Sequence, residues 1–559
     1  MPPGFLDERR LLLGPWQAFE RDVARLLVAN GFEDVRIVGG TGDHGGDILA
    51  TRLGELWVWQ CKHTTAGPPS SSAISEVVEA ARYYKAHRMV IATSRPPGDS
   101  FNEEKARYER TGLKVQVVDP AILLHLMEMT PEYPPQRKTL HEFQENTAAR
   151  FRQALVDTGR AQIVLATGLG KTIVMADVVA DLLRDGLIRE NRVLILAHTR
   201  PLVDQLHRTF WFQLPKWIPT HQLSEGEYPA YWEGITFATV QSASSKLEAL
   251  PDFGAVLVDE AHHIGAEMFR VTLEHLRPKM VGGVTATPWR GDGFEIDKIL
   301  GPPLVRIGIA EGLRGHFLSD VDYRLMGDNI DWHFVQEASK NKYSLAQLNR
   351  QLIIPTRDEE AVRLIKEVFE KEKRRAGIAF SPSVSHAEHF AAMLRRYELR
   401  AEAISAEMTP RDRDLVMSQF RAGELDFVTT VDLFNEGVDV PDVDLIVFMR
   451  VTHSRRIFVQ QLGRGLRFTP NKDRVIVLDF VTDLRRVAEV IELDKAIKSV
   501  SIERLGLGDR LIQFSDRSAG NFLREWMLDQ ASLFLREEEP TIELPQFEYP
   551  EPPPPGSVQ

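Results

Sequence analysis

Between residues 16 and 27 the apolar side chains Trp16, Phe19, Val23, Leu26 and Leu27 return at helical spacing, and Gly31 closes the pattern. Short apolar runs then take over. Val35 to Val38, Ile48 to Thr51, Leu56 to Lys62, Met89 to Thr93 and Leu113 to Val118 read as strands, with a helix from Ala73 to Ala86 among them. From Leu56 to Trp59 both alternating faces are apolar, as in a strand buried on both sides; beyond them Gln60 and Lys62 share one face and Cys61 takes the other. From residue 140 onward buried strands alternate with helices. A helix at Leu140 to Leu155 precedes strands at Ile163 to Leu165, Val193 to Ala197, Ile235 to Val240, Val256 to Val258 and from Val281. A second series has a helix at Asp358 to Lys373 and strands at Gly377 to Phe380, Ala401 to Ile404 and Phe427 to Thr430. Between the two series, a strand at Asp320 to Arg324 and a helix at Ser344 to Leu352 fit a bridge, and helical patterns at Ile457 to Leu466, Leu484 to Ser499 and Asn521 to Leu535 follow. The predicted fold class is α/β: an N-terminal α/β domain, two parallel-sheet lobes and a small helical C-terminal region.

Composition sharpens this picture in a few places. A chain of 559 residues with 43% apolar content can bury several cores, so three or four domains are expected. The boundaries read as 1–125, a linker at 126–137, 138–305, a bridge at 306–355, 356–485, a helical region at 486–535 and a tail at 536–559. Pro131, Pro134 and Pro135 with Tyr133 make the linker stiff, which predicts that the parts on either side fold separately. Glu537 to Glu539 and the run Pro552 to Pro555 predict a disordered acidic tail. No apolar run reaches membrane-spanning length and the N-terminus lacks a signal-type core, so a cytoplasmic protein with no membrane partner is expected. The single cysteine, Cys61, rules out an intramolecular disulfide and a Cys-rich zinc site. A formal net charge of −12 argues against an outer surface built for nucleic acid, but an acidic exterior is compatible with a basic channel between domains.

Two stretches carry candidate chemistry. In AQIVLATGLGKTIVMA, from Ala161 to Ala176, an apolar strand runs into a turn holding Gly168 and Gly170 and then into a helix. That order makes a phosphate cradle: the glycines admit backbone N–H groups to the phosphates, the helix N-terminus adds positive character, Lys171 reaches the β/γ oxygens and Thr172 can ligate Mg²⁺. Downstream, AVLVDEAHH puts Asp259 and Glu260 at the end of a buried strand, Asp259 to hold Mg²⁺ and Glu260 to orient and deprotonate water. In the N-terminal domain, Asp47, Gln60 and Lys62 supply a carboxylate, an amide oxygen and a cation, the set that metal-assisted phosphodiester hydrolysis needs, and Glu20 on the first amphipathic helix could complete the metal shell. Taken alone, D…QxK is equally a turn aspartate and a surface lysine. His44 reads as a solvated turn residue, and Trp57, Trp59 and Cys61 as core.

ATGLGKT, DEAHH, Thr285-Ala-Thr-Pro288 and Gln460-Gln-Leu-Gly-Arg464-Gly-Leu-Arg467, in this order, resemble the motif set of superfamily 2 DEAD/DEAH-type helicases and translocases, including type III restriction motors, over about residues 138 to 485. The resemblance implies two RecA-like lobes that bind ATP and Mg²⁺ through Thr167, Gly168, Gly170, Lys171, Thr172 and Asp259. It further implies Glu260 as catalytic base, Arg464 and Arg467 as arginine fingers, Gly437 and Asp439 in a motif touching both ATP and nucleic acid, and Gln144 beside the adenine. Thr199, Arg200, Gln241 and Ser381 would grip a nucleic-acid strand, while Thr285, Thr287 and His262 couple ATP state to lobe closure. FERDVARLL, GGTGDHGGDILA and WVWQCKH resemble the Mrr type of restriction-endonuclease-like nucleases, the PD-(D/E)XK fold with Gln in place of one acid, over residues 10 to 125. This implies Glu20, Asp47, Gln60 and Lys62 as a Mg²⁺-dependent nuclease centre. Together they imply an ATP-dependent DNA translocase or helicase joined to a DNA endonuclease, with partner proteins of a restriction or anti-phage defence system. A DNA-binding motor with an inactive nuclease fold as anchor, and an RNA helicase with an accessory domain, are the alternatives.

Overall fold

The computed structural model describes residues 4–38, 45–224, 226–286, 296–325, 342–344, 358–431, 443–449, 472, 474–480 and 541–543. Two compact units make up the chain, one of residues 1–165 and 170–306, the other of residues 166–169 and 307–559.

The first unit opens with α1 (Glu8–Leu12), capped by Asp7, and α2 (Trp16–Ala29). A five-stranded sheet follows, built in chain order from β1 (Glu33–Ile37), β2 (Ile48–Arg52), β3 (Glu55–Lys62), β4 (Arg88–Thr93) and β5 (Val115–Val118). β3 is its pivot, antiparallel to β2 and parallel to β4. The alternation read from the sequence is what divides its two cores. Trp59 and Cys61 join the core under α2, whereas Val58 joins the core under α3 (Ser72–Tyr84). Trp57 and Trp59 stack on each other and meet Phe32 edge-on, so they are packing residues as expected. Two further helices, α4 (Asp99–Glu109) and α5 (Pro120–Met129), complete the domain; Asp119 caps α5, which therefore extends into the stretch expected to be linker.

After α6 (Glu142–Thr158), a second sheet takes β6 (Arg160–Leu165), α7 (Lys171–Arg184), β7 (Arg192–Ala197), α8 (Arg200–Trp211), β8 (Thr220–Leu223), β9 (Gly234–Thr239), α9 (Val240–Ser244), β10 (Ala255–Asp259), α10 (Glu267–Leu276), β11 (Met280–Thr285) and β12 (Val305–Ile307). Strand order is β12-β6-β11-β10-β7-β9-β8, with β6, β11, β10, β7, β9 and β8 parallel. β7, β10 and β11 are apolar over nearly all their length because helices cover both faces, whereas β8 at the sheet edge buries Thr220, His221 and Gln222.

The expectation of separate folding on either side of the prolines is corrected by the structure: the N-terminal domain and this first lobe share one compact unit. Trp211 of α8 sits in the core under α2. The Arg25 guanidinium donates to the carbonyls of Ile218 and Pro215 at 2.7 and 3.1 Å. Buried Arg10 pairs with Asp22 and donates to Thr220 O at 2.8 Å, and it lies 2.9 Å from His221 Nδ1. His221 Nε2 is 2.8 Å from Glu233 O, a geometry met by the neutral ring protonated at Nε2; burial and then Arg10 hold its pKa well below the usual value. Lys216 closes the seam by donating to Thr130 O at 2.7 Å and Glu128 O at 3.1 Å, at the C-terminal end of α5. Prolines stiffen a linker, but stiffness does not separate domains when buried donors on both sides must find partners.

The second unit carries a six-stranded parallel sheet in the order Asp320–Leu325, Arg474–Asp479, Leu445–Phe448, Gly377–Phe380, Phe427–Thr430, Ala401–Ile404. Helices Asp358–Lys371, Val384–Arg396 and Pro410–Arg421 accompany it, giving a second parallel-sheet lobe of RecA-like type. Two expectations change. Asp320–Leu325 is an edge strand of this sheet and not a free bridge, and Thr541–Glu543, in the expected disordered tail, pairs antiparallel with Lys342–Ser344. His44 and the helices expected at 457–466, 484–499 and 521–535 lie outside the described residues, as do all but the first position of the one expected at 344–352. Among the described residues no helix is long and apolar enough to cross a membrane.

Replacing Lys216 with Met keeps the aliphatic stem and removes the donors that cap α5. It is expected to lower the stability of the first unit by about 1–3 kcal/mol, seen as an earlier thermal transition.

Candidate functional site

Parallel pairing puts the ends of β6, β10 and β11 along one edge of the first lobe. Between β6 and α7 lies the glycine turn, with Gly168 at φ 95° and Gly170 at φ 80°. A Cβ on Gly170 would stand 2.4 Å from Gln144 Nε2, so the loop accepts only glycine there. Gln144 is buried against this loop, its Oε1 accepting from His141 N at 2.9 Å. Lys171 opens α7, and its Nζ lies 3.7 Å from Glu260 Oε1. The expected phosphate cradle and acidic pair therefore converge.

Glu260 is held in the left-handed region, φ 49° and ψ 54°. A non-glycine residue there costs on the order of 1 kcal/mol and persists where the surroundings hold it. Those surroundings are visible: Thr285 Oγ1 donates to Glu260 Oε2 at 3.4 Å, and His262 Nδ1 lies 3.3 Å from the same oxygen and 2.9 Å from Thr285 Oγ1. His262 thus ties Glu260 to the end of β11. Asp259 is buried, and its pKa is raised to about 7, first by burial and then by Glu260. Its Oδ1 accepts no hydrogen bond. A buried carboxylate oxygen without a donor, beside a lysine and at the mouth of a phosphate loop, fits a hard divalent cation.

Thr199 and Arg200 begin α8 at the end of β7, and Gln241 is exposed at the start of α9 beyond β9, so the three lie along one sheet edge. Ser381 corrects the expectation of a strand contact. It is fully buried behind Phe380, and an exposed hydroxyl comes instead from Ser383, the cap of the helix that follows. A second feature missed by the sequence is a stack of rings: His198 lies 4.2 Å from His263, which lies 4.2 Å from His262. No local pattern announces it, because His198 and His263 come from different strand ends. Gly437, Asp439, Arg464, Arg467, Thr287 and Pro288 lie outside the described residues.

In the N-terminal domain Asp47 Oδ2 accepts from Gln60 Nε2 at 2.7 Å and from the Cys61 backbone N–H at 2.6 Å. The amide of Gln60 is thereby turned so that its Oε1 is buried with no hydrogen-bond partner, an oxygen suited to a Mg²⁺ ligand. Burial, Asp47 and Glu20, in that order, push the Cys61 thiol well up. Lys62 is directed elsewhere, to Glu76 Oε2 of α3 at 2.5 Å. Asp47 and Gln60 are thus joined, Glu20 approaches from α2 on the Cys61 side, and Lys62 is held from the α3 side by an acid that no motif had marked. Among the described residues no group of three His, Cys, Asp or Glu is placed to hold a metal; the set here offers two carboxylates and a carboxamide.

Residues 14–127 match the family model of restriction endonucleases of the Mrr catalytic type, residues 133–290 that of the res subunit of type III restriction enzymes, and residues 360–469 that of the helicase conserved C-terminal domain. The chain is 25% identical over 58% of its length to IRC3 of Saccharomyces cerevisiae, assigned as an ATP-dependent helicase, and spans 48% of that protein. It is 24% identical over 72% of its length to the DNA 3'-5' translocase XPB2 of Sulfurisphaera tokodaii, covering 96% of it. Among solved structures, the ATP-dependent type ISP restriction-modification enzyme LlaBIII bound to DNA superposes with a TM-score of 0.52 at 15% identity, over 92% of this chain and 41% of that one. The chain therefore belongs to the superfamily 2 helicases, with an N-terminal restriction-endonuclease domain of the Mrr type.

Proposed function

We propose that this protein is an ATP-driven DNA translocase or helicase that carries its own Mg²⁺-dependent DNA endonuclease, in a restriction or anti-phage role. The observation that carries the motor is the convergence of Lys171, Asp259 and Glu260 at one sheet edge, with Glu260 fixed by Thr285 and His262. Gly168, Gly170 and Thr167 cradle the triphosphate, Lys171 binds its outer oxygens, and Glu260 orients water and takes its proton. Thr172 and Asp259 would hold Mg²⁺, which when bound neutralises charge developing on the phosphates. In the nuclease domain Asp47, Gln60 and Glu20 would hold a second Mg²⁺. Thr199, Arg200 and Gln241 lie where backbone phosphates would be gripped without reading bases. The ion pair of Lys62 with Glu76 favours a second reading, in which the nuclease fold only anchors the motor to DNA.

Lys171→Ala is expected to abolish ATP hydrolysis and unwinding. Asp47→Ala is expected to abolish cutting and leave DNA-stimulated ATPase intact; if it leaves cutting intact too, the nuclease assignment is wrong. RNA stimulating the ATPase where DNA does not would replace the DNA motor with an RNA helicase. Glu260→Gln is expected to slow ATP turnover by about 10²- to 10⁴-fold with ATP binding retained, as removal of a general base does.

Asp259 also gives a test without nucleotide. Its folded pKa stands above the ordinary value of 3.8, so the folded chain keeps a proton that the unfolded chain loses. Stability from this group is full below pH 4, falls as pH rises, and is lost above about 7. Asp259→Asn is therefore expected to stabilise the nucleotide-free protein more at pH 8 than at pH 5, by on the order of 2 kcal/mol, read from unfolding curves at the two pH values.

A further inference from the structure

Helix α2 has two duties that its sequence places on different sides. Glu20 is buried near the N-terminal end of α2, where the neighbouring Phe19 ring meets His63, the residue after β3, whereas Arg25 and Asp22, three apart and so on one face, meet the first lobe. What they meet is α8 and the segment that follows it. Arg25 is bound by the carbonyls of Pro215 and Ile218, Asp22 reaches Thr220 and His221 through Arg10, and Trp211 enters the core beneath α2. At its other end α8 begins with Thr199 and Arg200, one residue after His198, whose ring lies against His263 in the acidic loop. Twelve helical residues span roughly 18 Å. One rigid element therefore reaches from the neighbourhood of Glu260 and the strand-gripping edge to the helix that bears Glu20.

We infer that α8 transmits the state of the motor to the nuclease, and that Arg25 and Asp22 are the positioning residues through which it sets α2 and hence Glu20. A buried seam of specific donors and acceptors does not slide continuously; it moves as a body or changes between discrete arrangements. A displacement of α8 that accompanies nucleotide or strand binding must then be passed to α2. This rests on the proposed function, because it concerns how ATP and DNA license the cut.

The test compares full-length wild type, Arg25→Met and Arg25→Lys, measuring Mg²⁺-dependent DNA cleavage with ATP and without it, together with DNA-stimulated ATPase. Arg25→Met is expected to reduce the stimulation of cutting by ATP roughly tenfold, a size usual for coupling between sites, with ATPase changed by less than about twofold; Arg25→Lys, which keeps a donor for one carbonyl, should recover most of it. A folded Arg25→Met protein whose cutting responds to ATP as wild type does would overturn the inference while leaving the proposed function standing. Wild type that never cuts would count against the proposed function. The coupling itself is read independently of cutting, and of whether Arg25→Met folds, by hydrogen exchange on wild type. Addition of a non-hydrolysable ATP analogue and DNA should change protection together in residues 16–29 and 215–223, and no change there would refute transmission through α8.

Discussion

Parallel hydrogen bonding between β6, β11, β10, β7 and β9 forces five strand ends onto one edge of the first lobe, and every candidate motor group of that lobe except Gln144 depends on this. The phosphate turn, the acidic pair, Thr285, the start of α8 and the start of α9 come from segments up to 120 residues apart in the chain, yet the ladder leaves them nowhere else to go. Register matters as much as direction. Asp259 pairs with Val284 and Thr285 with Val164, so Asp259 and Thr285 stand at nearly the same height, and the next residue, Glu260, can reach the threonine hydroxyl. A slip of one residue would turn Asp259 and Thr285 to the opposite faces of the sheet.

The acidic pair is held against its own preferences. Two adjacent carboxylates at a buried strand end repel, which is part of why Asp259 keeps its proton to near neutrality. Glu260 adds an unfavourable backbone conformation. Both costs are offset by neighbours: Thr285 and His262 fix one oxygen of Glu260, and Lys171 approaches the other. Strain and desolvation concentrated at one point, and compensated by groups brought from β11, α7 and the turn after β10, are the mark of a functional site.

The sequence was legible where local pattern and physical cause coincide. The strands Gly377–Phe380, Ala401–Ile404 and Phe427–Thr430 have the bounds that apolar runs predict, and Lys171 and Glu260 meet as their motifs require. The two-faced burial of β3 was readable from Trp57, Val58 and Trp59 alone. Illegible were partnerships decided by long-range packing. Glu76 meets Lys62 because α3 crosses β3, a fact of topology that no spacing records. Ser381 looked like an exposed strand-end hydroxyl, but it directly follows the central strand Gly377–Phe380 and is buried with it. Asp320–Leu325 failed to read as part of a sheet because its partner, Arg474–Asp479, lies about 150 residues further on.

The seam between the nuclease domain and the first lobe was the largest surprise, and its chemistry explains both the miss and the consequence. Patterning arguments look for apolar faces, and α2 does bury one, on which Trp211 packs, but the directional part of its contact with the lobe is made by charged side chains that a sequence reading assigns to solvent. Burying Arg10, Asp22 and Arg25 gains little net stability over an apolar seam of the same shape, because desolvation opposes the attraction. What such a seam provides is a single permitted arrangement: each guanidinium must find its particular carboxylate or carbonyl, and any other docking leaves a charge stranded at a cost of about 3–5 kcal/mol. An interface selected for adhesion alone would not need that discrimination. One that must hold a catalytic helix at a defined angle to a moving lobe would.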